Sequence, residues 1–112
     1  MNLITDPAAF NTMPTRDVPA GEFGGAVRLR IASGSDGDLM AKHERRDDES
    51  DRAFAGRFGR FVLGAFAIKA DGSPLFTDPD AVPELPAALA LRLTNAFFDL
   101  NDFSNGRDAE GN

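Results

Sequence analysis

The sequence predicts a mainly α, α+β fold: a short N-terminal β-hairpin or strand followed by about three helices. Three observations carry this expectation. Ala26-Val27-Arg28-Leu29-Arg30-Ile31 alternates apolar with basic residues behind Gly24-Gly25, the period-two signature of a half-buried strand. Phe54, Phe58, Phe61 and Ala65 recur at steps of four, three and four, and Leu89, Leu93, Phe97, Leu100 and Phe103 form a second apolar stripe near the C-terminus, both at helical spacing.

Residues 1–15 have no period and read as a partly ordered arm, in which Asp6-Pro7 can open a short helical turn reaching Phe10. The single domain is expected over residues 16–103. Val18-Pro19 leads through Phe23-Gly24-Gly25 into the alternating strand, so a hairpin is expected with a short partner strand near Val18. Pro19 lacks a donor for the ladder and puts that partner at an edge. Val27, Leu29 and Ile31 share one face, Arg28 and Arg30 the other.

Ser33-Gly34-Ser35-Asp36 is a turn, and Ser35 with Asp38 three residues later suggests a capping box. Leu39, Met40 and His43 fall on one side of the short helix that follows. From Glu44 to Arg52 every residue but Ser50 is charged. Such a run is expected to lie in solvent as a helix end and mobile loop.

The first strong helix is expected over about Asp51 to Lys69, with Arg52, Arg57 and Arg60 off its apolar stripe. Gly56, Gly59 and Gly64 each cost roughly 1 kcal/mol against Ala in a helix. They point either to close approach of another backbone or to an earlier helix end. The Phe61–Ile68 stretch alternatively reads as a buried strand. Asp71-Gly72-Ser73-Pro74 is a turn, Leu75-Phe76 an apolar anchor, and Thr77-Asp78-Pro79-Asp80 a second turn or helix cap. A last helix is expected from Leu85 or Pro86 to Phe103, and residues 104–112 read as a flexible polar tail.

Composition narrows function by exclusion. The 112 residues carry 18 acidic against 12 basic side chains, a net charge of -6, which disfavours a phosphate backbone as partner. There is no cysteine, hence no disulfide, thiol nucleophile or Cys-based metal site. The longest apolar run, Phe61 to Ile68, falls far short of the roughly 20 residues that span a bilayer. No signal peptide is apparent at the N-terminus. An intracellular protein with neither membrane nor nucleic-acid partner is expected.

His43 is the lone histidine and reads as a surface or core-edge residue rather than a catalytic base or metal ligand. The aspartate pairs near residues 36, 78 and 99 look superficially like calcium loops, but read from Asp99 or Asp102 the required glycine position holds Ser104 or Arg107, so neither is an EF-hand. Gly21-Glu22-Phe23-Gly24-Gly25 lacks the Lys-Ser/Thr of a P-loop. No catalytic residue, cofactor or metal is expected, and the chain does not read as an enzyme. Ten phenylalanines without Tyr or Trp imply a Phe-rich core. A small assembly of helices also has more apolar face than it can cover alone, so partner binding or self-association is a further expectation.

Four segments occur in an order that resembles the phage tail assembly chaperones, small proteins encoded ahead of the tape measure protein in long-tailed phages, prophages and gene-transfer particles. They are Val18-Pro19 through Phe23-Gly24-Gly25-Ala26-Val27, Ser33-Gly34-Ser35-Asp36, Asp71-Gly72-Ser73-Pro74-Leu75-Phe76-Thr77-Asp78, and Leu85-Pro86-Ala87-Ala88 running to Leu100-Asn101. The resemblance covers about residues 16–103; the charged run Glu44–Arg52 and the Gly-rich middle helix depart from the pattern. It implies a non-enzymatic chaperone in the host cytoplasm, absent from the mature virion. Such a protein binds the tape measure protein and helps recruit tail-tube subunits during tail morphogenesis. Phe54, Phe58, Phe61, Leu93, Phe97 and Leu100 are the candidate partner-binding residues, offering a face or groove to an apolar helical segment. The competing readings are a head–tail connector or tail completion factor that stays in the particle, and a regulatory protein-binding domain.

Overall fold

The computed structural model of the chain describes residues 3–101. The expected tail and Phe103 lie outside them. Strands β1 (Thr15–Ala20) and β2 (Gly25–Arg30) form an antiparallel hairpin in which Val18 faces Val27 and Pro19 faces Ala26. A short third strand, β3 (Ala67–Ile68), pairs antiparallel with the far side of β2, Leu29 opposite Ala67. The sheet order β1-β2-β3 leaves β1 at an edge, where Pro19 is tolerated. Helices α1 (Gly37–Ala41), α2 (Asp51–Phe66) and α3 (Ala87–Asn101) complete a mainly α, α+β fold. Ahead of β1, Asp6 accepts from the amide of Ala8 and caps a 3-10 turn at Pro7–Asn11.

Ser50 caps α2 by accepting from the Ala53 amide at 3.1 Å. The helix stops three residues short of Lys69, because the backbone of Ala67 turns extended and pairs with Leu29. Both readings of Phe61–Ile68 are therefore realised in part: helix to Phe66, strand for the last two residues. The chain then folds back through a turn in which Lys69 N donates to Ser73 O, and Leu75 N donates to Ala67 O at 2.9 Å. A 3-10 turn at Pro79–Ala81 follows, capped by Asp78. Pro86 contributes the carbonyl that accepts the first bond of α3, from Ala90 N.

Helices α2 and α3 pack closely through small residues. A Cβ built on Gly59 would lie 2.6 Å from the carbonyl oxygen of Ala90, and one on Gly64 would press on that of Pro79. Close backbone approach thus explains two of the three glycines in α2. One turn along the crossing, the buried Thr94 hydroxyl lies 3.1 Å from Ala55 O and 2.9 Å from Ala90 O. The core fills the space between this helix pair and the sheet. Leu29, Val62, Phe66, Leu93 and Phe97 have no accessible surface, and the Phe66 and Phe97 rings meet at 4.5 Å between centroids.

Two local expectations are corrected. The capping pair at the turn before α1 is Ser33 with Asp36, two residues earlier than Ser35 with Asp38: the Asp36 carboxylate accepts from Ser33 N at 2.8 Å and from the Ser33 hydroxyl at 3.0 Å. Arg30 decides the register, donating to the same carboxylate at 2.9 Å while its guanidinium lies 4.7 Å over the Phe66 ring. Nor is the charged run wholly solvated. The Glu49 side chain is only 9% exposed, held by both arms of the Arg57 fork at 2.9 and 2.7 Å.

Candidate functional site

The six residues expected to bind a partner do not form one exposed face. Leu93 and Phe97 have no accessible surface, and Phe58 and Phe61 are buried with them. The stripes of α2 and α3 face each other and the sheet, so each covers the other. That corrects the expected surface: only Phe54 and Leu100 remain half-buried at its margin. Phe54 stacks on Phe58 at 5.1 Å and on Phe98 at 6.2 Å, and these rings line a cleft beside Met40 and Arg45.

Surface apolar groups gather elsewhere. A groove of about 360 Å³ opens between the β1–β2 turn and the segment preceding α3. Phe23, Val27, Leu75, Phe76, Leu85 and Leu89 are among its walls. Phe23 is 69% exposed and Leu75 43%, so two large apolar side chains stand open to solvent on its walls. Its edge is held by Arg92 of α3, which donates to the Pro19 carbonyl and pairs with Glu22, the residue before Phe23. The three segments that meet here lie far apart in the chain. Phe23 and Leu75 belong to no helical or strand period, so periodicity passes over them and their signal is membership of the turn motifs; Leu85 stands four residues before Leu89, beside the last helical stripe.

A second cleft, of about 430 Å³, opens between the end of α1, the outer side of α2 and residues 79–82. Its floor is apolar, from Phe61, Ala65 and Val82, and its walls carry Lys42, Arg46, Arg57 and Arg60, with Asp80 the acidic residue among them. His43 lies in it, stacked on Phe61 at 3.9 Å and nearly parallel. Burial pushes the His43 pKa down, and Arg57, Lys42 and Arg46 push it the same way against Asp80. Arg57 closes one side by donating to the carbonyls of His43 and Glu44 as well as to Glu49. Its fork holds the Glu49 carboxyl down to about 2. Sequence reading misses this cleft, because its cations come from three places: Lys42 just after α1, Arg46 in the charged run, and Arg57 and Arg60 at off-stripe positions of α2.

Among the described residues, no group of three His, Asp or Glu side chains could hold a metal ion, and no helix is long and apolar enough to cross a membrane. No family model matches the chain, and neither a curated protein nor a solved structure matches it.

Proposed function

We propose that this chain is a phage tail assembly chaperone that acts by binding and not by chemistry. It takes an apolar helical segment of the tape measure protein into the groove at Phe23, Leu75 and Leu85, keeps that long protein soluble in the host cytoplasm, and helps recruit tail-tube subunits. One observation supports this reading above the others. Three of the four segments that carry the family resemblance, separated by tens of residues in sequence, converge on the walls of one exposed apolar groove. Binding an amphipathic helix in such a groove needs a few apolar anchors and no titratable machinery.

The test is co-expression of the chain with the tape measure protein from the same genome, scoring how much of the latter stays soluble and co-purifies. Rescue by the wild type, lost in Phe23→Asp while the variant keeps its fold, is the expected outcome. Absence of rescue, with the chain present in finished particles, would replace this reading with that of a connector or completion factor.

A further inference from the structure

Six arginines of the described chain pair with carboxylates: Arg16, Arg28, Arg30, Arg45, Arg57 and Arg92. In a chain of net charge -6, a cation without an acidic partner is conspicuous. Among the described residues, five cations have no carboxylate within ion-pair distance, and three of them, Lys42, Arg46 and Arg60, line the cleft that holds His43, whereas Arg52 and Lys69 lie outside it. Three such cations against the one carboxylate of Asp80, beside an apolar lining, attract and orient a segment of opposite charge.

We infer that this cleft is a docking site for a carboxylate-rich amphipathic helical segment, which sets an apolar side chain against the accessible apolar lining, Leu39 and Ala65, and its acidic residues on Lys42, Arg46 and Arg60. The inference rests on the chaperone reading only for the partner's identity, and it adds the partner's chemistry: acidic residues flanking an apolar anchor. The two sites adjoin, since Pro79, Asp80 and Val82 line the cleft and Pro83 and Leu85 line the groove.

Other anions fit less well. A phosphate group is recognised by free guanidinium forks or backbone amides, but the Arg57 fork is taken by Glu49 and one arm of Arg60 donates to Val82 O at 2.6 Å. A small ligand is fixed by buried polar groups that lack protein partners, and no described buried side-chain polar atom lacks one. Single-stranded nucleic acid needs an open aromatic face for stacking, and the buried Phe61 ring is already covered by His43. What remains is long-range attraction from cations without an ion pair beside an apolar lining, which suits a polypeptide.

The single histidine makes the test direct, because its ring protons are one resolvable probe at the cleft. The full chain is titrated with a synthetic helical peptide carrying Leu and Glu one turn apart, with the same peptide carrying Lys for Glu, and with a single-stranded DNA oligonucleotide. The acidic peptide is expected to move the His43 signal and raise its titration midpoint, since a nearby carboxylate favours the imidazolium. The double variant Lys42→Glu/Arg46→Glu, which breaks no internal ion pair, is expected to bind at least roughly tenfold more weakly. A His43 signal unmoved by the acidic peptide overturns the inference, and so does a stronger response to the oligonucleotide or the Lys peptide.

The same double variant in the co-expression assay separates the two ideas. Loss of rescue together with loss of peptide binding supports both. Wild-type rescue that the variant retains overturns the cleft as the tape measure site and leaves the chaperone reading standing. Failure of the wild type to rescue sinks the chaperone reading, and the peptide titration then decides the cleft alone.

Discussion

A methyl group at Gly59 would press on the Ala90 backbone, which cannot swing aside as a flexible side chain would, whereas nothing lies within 4 Å of one at Gly56. Gly59→Ala is therefore expected to cost about 1–3 kcal/mol through overpacking. Gly56→Ala is expected to stabilise by up to about 1 kcal/mol through helix propensity. Urea denaturation of the two variants checks the pair, and equal effects would remove close packing as the reason for Gly59. Glu49 predicts a pH dependence. Its carboxyl titrates at about 2 in the folded chain against an ordinary 4.5, so between those values the unfolded state holds more protons. Stability from the Arg57–Glu49 pair is complete above pH 4.5 and is lost as pH falls through about 2. The urea midpoints of the wild type and Glu49→Gln are expected to differ at neutral pH and to converge towards pH 2.

Elements are joined by a few side-chain bonds that no local pattern announces. Asn101, at the end of α3, accepts from the Ala32 amide at 2.8 Å and donates to Phe97 O at 2.8 Å, tying the last helical turn to the exit of β2. Asn101→Ala is expected to cost about 1–2 kcal/mol, because the Ala32 amide loses its partner. Hydrogen exchange at Ala32 should quicken roughly tenfold for each 1.4 kcal/mol lost; unchanged protection would mean that the tie is not formed in solution. The elements themselves were legible. The hairpin, the helix beginning at Asp51 and the helix beginning beside Pro86 follow from period-two alternation, the Phe54–Ala65 stripe and a proline at the helix start. The end of α2 was not legible to the residue, because Ala67 leaves the helix to pair with Leu29, 38 positions upstream in numbering. The cap at Asp36 was misplaced for a like reason: Ser35/Asp38 satisfies the local pattern equally well, and Arg30 selects the other pair.

At the scale of the whole molecule, the two exposed or buried fates of phenylalanine separate folding from binding. Phe97 has no accessible surface and touches Phe58 and Phe66. A charge there is buried without a partner, so Phe97→Asp is expected to abolish the folded state and to report on stability, not on recognition. Phe23 is 69% exposed, and Phe23→Asp is expected to leave stability within about 0.5 kcal/mol while removing an anchor of the groove. Thermal melts of both variants check the contrast. A Phe23→Asp chain that melts far below the wild type would place Phe23 in the core instead.

The sequence by itself determined the fold class, the order of the hairpin and the main helices, and the apolar stripes from which the core is built, but not the third strand at Ala67–Ile68. These depend on spacing within a few residues, which the chain carries openly. Only the tertiary structure decided which apolar residues are left outside and where the cations gather. A helical stripe has the same period whether it meets another helix of its own chain or a partner. The choice between them depends on the close crossing at Gly59 and Ala90, which brings Phe58 and Phe97 within 6.0 Å and buries both. The exposed groove and the basic cleft arise where distant loops meet, and no local periodicity encodes such a meeting.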